Sequence, residues 1–195
     1  MEENMNVDVV EEASNEKSKK NAESVYDFAS ILVSAVLTVG IIFTFFFKIS
    51  TVSGESMENT LHHADRLIIS SVVNDVEYGD VVVTSQPNLF NKVLIKRVIA
   101  VGGQTVWFDE ETKQTIVDGK ALDEPYIKEE MEYTSAMDKL FTVPEGKIFV
   151  MGDNRNNSSD SRDEFVGVID ENYIVGKVVY RFGDKSLFNT DFKES

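Results

Sequence analysis

The sequence predicts a mainly β domain, an antiparallel barrel or curved sheet, that follows one N-terminal transmembrane helix. Residues 29–47 form an apolar run without a charge. A helix of that length spans about 28 Å at ~1.5 Å per residue, close to the ~30 Å hydrocarbon core of a bilayer. Beyond the run, short segments rich in β-branched and aromatic residues alternate with glycine, proline and acidic turns, which is typical of antiparallel sheets.

The chain is therefore predicted to have three parts. Residues 1–24 are polar and charged, which predicts a disordered cytoplasmic tail. Residues 25–48 are the predicted anchor, and residues 49–195 are enough for one domain with its own core. A buried globular helix is disfavoured because the run has no polar face. A cleavable signal peptide is disfavoured because the run is longer than a usual apolar region and no clean cleavage site follows it.

Basic residues around the anchor predict its orientation. Lys17, Lys19 and Lys20 precede the apolar run, whereas Lys48 stands alone after it. Lysine and arginine are enriched on the cytoplasmic side of membrane helices. We therefore expect a single-pass protein of the cell membrane, with a cytoplasmic N-terminus and an extracytoplasmic domain.

Seven segments of the domain have the composition of strands. They are residues 66–70, 80–84, 93–101, 105–108, 115–117, 147–151 and 177–182. Asp118-Gly119 predicts a tight hairpin turn after the fifth segment. Residues 129–140 are the most helix-like stretch of the domain and could equally form an exposed loop.

Composition excludes some classes of function. The chain has 19 basic and 34 acidic residues, which argues against nucleic acid as a partner because phosphate binding needs a basic face. It has no cysteine, so disulfides and thiolate chemistry are excluded.

Ser56 and Lys96 form a candidate pair of reacting groups. Ser56 lies nine residues past the apolar run, and a serine hydroxyl is a poor nucleophile until a base removes its proton. His62 and His63 follow closely, but sequence proximity does not identify a base. Lys96 has apolar residues on both sides, and burial could lower its pKa toward neutrality. The pattern alone leaves open whether Lys96 is buried or extends to solvent from an edge strand.

Residues 152–162 form a polar segment of acids, arginines, asparagines and serines. Such a segment is commonly a polar loop, and Asp153 and Asp160 could also supply oxygens to calcium. The spacing disagrees with an EF-hand, since Arg155 falls at a ligand position and no glycine occupies the sixth position. The mixture better suits a loop pinned by ion pairs around a site, so no metal is expected.

Five landmarks in order make the chain similar to the bacterial type I signal peptidases, peptidase family S26. They are the anchor and the segments 53–61, 79–83, 95–99 and 152–162. The resemblance extends from the anchor to about Phe182.

The resemblance implies roles for individual residues. Ser56 matches the nucleophile and Lys96 the general base of a Ser–Lys dyad, and the Ser56 backbone N–H matches an oxyanion-hole donor. Other positions match supporting groups: Ser158, which orients the lysine, and the ion pairs Arg97–Asp153 and Asp160–Arg162. Further positions match shallow apolar pockets for small substrate side chains: Val52, Met57, Leu61, Val83 and Ile95.

The implied activity is that of a membrane-anchored serine endopeptidase. It would remove N-terminal signal peptides from exported preproteins at small-x-small sites, with no cofactor, and its partners would be preproteins and membrane lipid. The chain is expected to act as a monomer. One alternative is an anchored β-domain that binds exported chains without cleaving them. Another is a self-cleaving repressor, which would carry a DNA-binding domain where this chain has an anchor.

The chain departs from the family pattern at two places. Asn59 replaces a usual proline three residues after the nucleophile, and the loss of a fixed φ is expected to loosen this segment. Residues 163–166 precede Gly167, which lengthens the exit from the polar segment. Gly54 stands where some members have a serine that also donates to the oxyanion.

Overall fold

The computed structural model describes residues 2–87, 93–132, 140–183 and 186–189. The chain divides into two compact units, Met1–Phe45 and Phe46–Ser195. Helix α1, Glu2–Phe46, makes the first unit, and the described elements of the second are strands and one short 3-10 helix. A mainly β domain after one N-terminal apolar helix is therefore confirmed.

Helix α1 includes both the predicted tail and the predicted anchor. Its part Glu23–Phe46 is long and apolar enough to cross a membrane, and its apolar side chains are exposed. The backbone of residues 2–24, predicted to be disordered, is helical and continues into the anchor, in line with the good helix propensity of its Glu, Lys and Ala residues. The helix ends at Phe46 because Phe47 begins a strand that pairs with Ser70.

Eight of the described strands form one curled antiparallel sheet. They are β1 (Phe47–Thr51), β2 (Arg66–Ser70), β3 (Val81–Thr84), β4 (Leu94–Val101), β9 (Lys147–Met151), β10 (Ile169–Asp170), β11 (Ile174–Gly183) and β12 (Ser186–Asn189). Their order across the sheet is β1-β2-β11-β3-β4-β9-β10, and β12 pairs with β11. Among the described residues the path does not close, so the sheet is an open half-barrel.

A smaller antiparallel sheet is inserted between β4 and β9. It contains β5 (Thr105–Phe108), β6 (Thr115–Val117), β7 (Lys120–Ala121) and β8 (Phe141–Thr142). The predicted hairpin at Asp118-Gly119 joins β6 to β7. Both residues have positive φ, 49° and 76°, which the favoured two-residue hairpin turn requires. That prediction is confirmed.

Strand β4 is buried on both faces because it lies at the junction of the hydrophobic clusters. Ile99 packs in a cluster with Phe108 and Phe149, which joins the two sheets. Val98 packs in a second cluster with Val150, and Ile95 packs against a third that includes Leu61. A residue in the middle of β4 is thus far from solvent unless a cleft reaches it.

All seven predicted strands are present, with ends that agree within three residues. The prediction missed β1 and the short β7, β8, β10 and β12. A strand of two residues is too short to show an alternating pattern. Of the helix-like stretch 129–140, residues 133–139 lie outside the described part, and the described remainder is not helical.

Candidate active site

Ser56 and Lys96 meet although 40 residues separate them in sequence. Lys96 Nζ and Ser56 Oγ are hydrogen bonded at 2.6 Å. Ser56 lies in the turn after β1, and Lys96 lies in β4. Because β4 pairs with β3 on one side and β9 on the other, it is not an edge strand. The lysine is only 3% exposed, so the structure decides the open question in favour of burial.

The surroundings of Lys96 shift its proton affinity. Burial lowers its pKa from about 10.5 to about 8. The carboxylates of Asp160 and Asp153 act in the opposite direction, and Arg162 adds a smaller lowering effect. With a pKa of about 8, roughly a tenth of the lysine is neutral at pH 7, compared with about one molecule in 2,500 for a free side chain. Lys96 can therefore act as a base near neutral pH.

The backbone around Ser56 is fixed by the loop that follows β9. Asn154 N–H donates to the Ser56 carbonyl at 3.1 Å, and Asn154 Nδ2 donates to the Glu55 carbonyl at 3.1 Å. Gly152 lies so close that a Cβ added there would be 2.4 Å from the Ser56 carbonyl oxygen and 2.3 Å from Ser158 Oγ. Only glycine fits at that position without displacing the nucleophile segment.

The segment after Ser56 is held by different contacts. Met57 and Leu61 are buried in the core, and Thr60 Oγ1 donates to Asp153 Oδ2 at 2.5 Å. Glu58 forms a partly exposed ion pair with Lys128 at 2.9 Å. The peptide bond between Glu58 and Asn59 is cis.

Arg97 and Asp153 form a fully buried ion pair next to the lysine strand. Arg97 Nε and NH2 donate to the two Asp153 oxygens at 2.9 and 2.8 Å. The guanidinium also stacks over the Tyr126 ring at 3.9 Å and donates to the Gly79 carbonyl. These contacts pin the start of the 152–162 loop to β4.

Asp160 is the centre of a second buried network. It accepts two hydrogen bonds from the Arg162 guanidinium at 2.8 Å, one from Gly152 N–H at 2.9 Å and one from Ser158 Oγ at 2.7 Å. Burial alone would raise the pKa of Asp160, but Arg162 and the other donors hold it below its usual value. Ser158, expected to orient Lys96, thus gives its hydroxyl hydrogen to Asp160.

Comparison with known proteins gives this geometry a context. A sequence profile of the family "Signal peptidase, peptidase S26" matches residues 25–183. The chain belongs to this signal peptidase family. The match begins in α1 and includes Ser56, Lys96 and the whole 152–162 loop.

Individual relatives lead to the same family. Signal peptidase I of Bacillus amyloliquefaciens is 36% identical over 179 residues, which cover 86% of this chain and 90% of that protein. Signal peptidase I of Bacillus licheniformis is 34% identical and covers 86% and 93%. Signal peptidase IB of Staphylococcus aureus is 32% identical and covers 83% and 94%. A solved signal peptidase I from Enterococcus faecalis aligns with 54% of this chain and 98% of its own at 27% identity and a TM-score of 0.44, too low to bear on the fold.

The five residues predicted to line apolar signal peptidase pockets lie together. Val52, Met57, Leu61 and Val83 are buried in one cluster, and the partly buried Ile95 packs against it. They do not line the polar cleft of about 890 Å³ beside Ser56. That cleft is lined by Gly54, Glu55, Ser56, His63, Asn156, Asn157, Ser158 and Ser159.

Among the described residues, neither histidine forms a hydrogen bond with Ser56 Oγ. His63 Nδ1 accepts from Gly54 N–H at 3.3 Å, and His62 is exposed. The described residues also contain no group of three or more histidine, aspartate or glutamate side chains that could hold a metal ion. Asp153 and Asp160, the candidate calcium ligands, each face an arginine instead.

A third ion pair at this signal peptidase site, Arg155–Glu124, was not predicted from the sequence. Arg155 donates to both oxygens of Glu124 at 2.6 and 3.0 Å, and its Nε donates to the Gly152 carbonyl at 3.2 Å. Both side chains are buried. The position of Arg155 in the polar loop was visible in the sequence, but its partner lies 31 residues away without a local signal.

Residues 163–167, which follow the 152–162 loop, fold into a compact turn. Asp163 N–H donates to the Asp160 carbonyl at 2.8 Å, and the Asp163 carbonyl accepts from Val166 and Gly167. Val166 is buried in a core cluster. The extra residues are thus accommodated by local hydrogen bonds and one apolar contact.

Proposed function

We propose that this chain is a membrane-anchored serine endopeptidase that removes signal peptides from exported preproteins with a Ser56–Lys96 dyad. The proposal is supported above all by one observation, the 2.6 Å hydrogen bond between Ser56 Oγ and a buried lysine. A lysine whose pKa is lowered to about 8 combines a useful neutral fraction with enough basicity to accept the serine proton.

Acylation begins when neutral Lys96 takes the proton of the Ser56 hydroxyl. The oxygen attacks the carbonyl carbon at the end of the signal peptide, and the bond between Ser56 Oγ and that carbon forms. Negative charge develops on the carbonyl oxygen, where backbone N–H groups stabilise it. Lys96 then gives its proton to the leaving amine, and the mature protein departs as the peptide bond breaks.

Deacylation uses the same base a second time. Lys96, neutral again, removes a proton from water, which attacks the acyl carbon bound to Ser56. The ester bond breaks, Ser56 regains a proton from Lys96, and the signal peptide leaves with a carboxylate end. This chemistry needs no metal or organic cofactor.

Substrate choice follows from the apolar cluster beneath the nucleophile. Val52, Met57, Leu61 and Val83 are buried in one cluster and the partly buried Ile95 packs against it, so the residues that match the family's substrate pockets form one apolar group. By resemblance to the family, these residues match pockets that accept small side chains at the −1 and −3 substrate positions. This supports cleavage at small-x-small sites.

The reaction takes place just outside the membrane. Nine residues from Phe47 to Ser56 reach at most about 30 Å, and signal peptides are cut just beyond their own apolar segment. Lysines before the anchor favour a cytoplasmic N-terminus and an extracytoplasmic domain. All proposed reacting groups come from one chain, so a monomer would be sufficient for the reaction.

The test is cleavage of a preprotein with an Ala-x-Ala site by detergent-solubilised protein. Wild type is compared with Ser56→Ala, Lys96→Ala and the double variant His62→Ala/His63→Ala. We expect Ser56→Ala and Lys96→Ala to lose all measurable cleavage, because each removes a reacting group. The histidine variant should keep cleaving.

Two results would contradict the proposal. Loss of cleavage in the histidine variant together with survival of Lys96→Ala would assign the base to a histidine. Folded wild type that binds several such preproteins and cuts none would make the chain an anchored binding domain. Thermal melting of each variant shows that lost activity does not come from lost folding.

A further inference from the structure

Asn154 contacts the backbone on both sides of the Ser56 α-carbon. Its backbone N–H donates to the Ser56 carbonyl, and its side-chain Nδ2 donates to the Glu55 carbonyl, each at 3.1 Å. The side chain is only 2% exposed, so it is confined to this arrangement. Asn154 therefore acts on the peptide group that carries the Ser56 N–H.

The geometry of that peptide group connects Asn154 to the reaction. The Glu55–Ser56 bond is trans, since the single cis bond among the described residues is Glu58–Asn59. In a planar trans peptide the C=O and the N–H point in opposite directions. When Asn154 holds the Glu55 oxygen, the Ser56 N–H must point away from Asn154. Glu55 and Ser56 line the cleft and Asn154 does not.

The Ser56 N–H is available for a ligand. In the described part of the chain it donates to no protein acceptor. A nucleophilic serine that attacks a carbonyl brings the developing oxyanion within reach of its own backbone N–H. A donor that is already oriented needs no reorganisation during the reaction, which is why such donors are effective.

We infer that Asn154 is a positioning residue that aims the Ser56 N–H at the developing oxyanion through the hydrogen bond from its side chain to the Glu55 carbonyl. This inference rests on the proposed function. The position of Asn154 is fixed by its sequence neighbours, because Asp153 and Arg155 are both buried and ion-paired. An aspartate at position 154 would lack this donor and would place an acceptor against the Glu55 oxygen.

The test compares Asn154→Ala and the isosteric Asn154→Asp with wild type in full-length, detergent-solubilised protein. All three keep the backbone bond to Ser56 and differ in the side-chain donor. Removal of one oxyanion donor costs about 10²–10³ in kcat in a well-studied protease, so a donor that is present but poorly aimed should cost about 10- to 100-fold. We expect that loss in kcat, with KM within about twofold and the pH midpoint of activity unchanged.

A second readout separates oxyanion binding from general damage. A peptide aldehyde ending in Ala-x-alaninal bonds to Ser56 Oγ and places its oxygen where the oxyanion forms. Its affinity should fall by the same factor as kcat, whereas binding of an uncleaved peptide to the Ser56→Ala protein should not change when Asn154→Ala is added. Asn172→Ala, an exposed asparagine in the 3-10 helix, is the matched control and should behave as wild type.

The outcomes are distinct. Wild type that cleaves while both Asn154 variants cleave within twofold of it would overturn this inference and leave the dyad intact. A rise in KM or a lowered melting temperature that accounts for the lost rate would also overturn it, because both indicate a structural role. Wild type that does not cleave would instead refute the proposed function. If Asn154→Ala does not fold, Asn154→Asp carries the test.

Discussion

At Lys96, apolar surroundings and three nearby charges act on one amine. Burial opposes protonation, Asp160 and Asp153 favour it, and Arg162 opposes it. Because each carboxylate is already paired with an arginine, neither is free to pair with the lysine. The two ion pairs thus keep negative charge near the site without making Lys96 permanently charged.

The first prediction concerns pH. Only neutral Lys96 can take the serine proton, so activity should be low below its pKa and rise as the pH passes through about 8. We expect kcat/KM for a small-x-small peptide to increase roughly tenfold per pH unit below that value and then level off. The measurement is a pH–rate profile of the solubilised protein between pH 5 and 10.

Two controls make this profile specific. The melting temperature, followed over the same pH range, shows that the enzyme stays folded. The variant His62→Ala/His63→Ala should keep the same midpoint. A midpoint near that of free lysine, or one that disappears in the histidine variant, would contradict the assignment.

The 152–162 loop is the element on which the site depends. Asp153 of the loop pairs with Arg97 of β4, and Asn154 donates a hydrogen bond to the Ser56 carbonyl. Arg155 of the loop pairs with Glu124. The exit is closed by hydrogen bonds around Asp163. The loop therefore behaves as a packed structural element, although its composition is that of an exposed turn.

We predict that the Arg155–Glu124 pair is important for stability. Glu124→Gln leaves a buried guanidinium without its counter-charge, which should cost about 3–5 kcal/mol in the free energy of unfolding. The double variant Arg155→Met/Glu124→Leu should recover much of that loss, because no buried charge remains. Urea denaturation of the solubilised protein measures both.

A surface pair provides the matched control. Glu58 and Lys128 form an ion pair that is partly exposed, so Glu58→Gln should cost less than about 1 kcal/mol. An equal effect of Glu58→Gln and Glu124→Gln would show that burial of the Arg155 pair has no energetic consequence. A double variant less stable than Glu124→Gln would indicate that the charges themselves hold the loop.

At the scale of the whole molecule, the chain consists of an exposed apolar helix and a β domain with its own core. The apolar side chains of Glu23–Phe46 are exposed in the structure, as expected for a helix that contacts lipid. The domain carries most of the acidic residues, whereas Lys17, Lys19 and Lys20 lie before the anchor. The lysines before the anchor favour a cytoplasmic N-terminus.

We predict that the domain lies outside the cytoplasm. The chain has no cysteine, so a single introduced cysteine reports its own location. In intact cells, a membrane-impermeant thiol reagent should label Thr112→Cys, which is in an exposed turn, but not Ser18→Cys. Permeabilised cells, in which both should react, are the control. The reverse labelling pattern would invert the topology.

Elements whose causes are local could be predicted from the sequence. The anchor follows from an uninterrupted apolar run, β2, β5, β6 and β9 follow from short β-branched segments, and the hairpin at Asp118-Gly119 follows from turn chemistry. Ser56 and Lys96 were identifiable as candidates from their neighbours. These features depend on residues within a few positions of one another, so a linear pattern records them.

The burial of Lys96 and the contacts that hold Ser56 could not be predicted from the sequence and depend on the folded structure. Lys96 is buried because β4 pairs on both sides and packs in three clusters, which no local pattern specifies. The partners Glu124 of Arg155 and Glu55 of Asn154 lie 31 and 99 residues away. Strand β1 forms through pairing with β2. In the sequence pattern alone, its residues look like a continuation of the apolar anchor. Burial and long-range hydrogen bonds exist only once the chain has folded, and at this site they determine the chemistry.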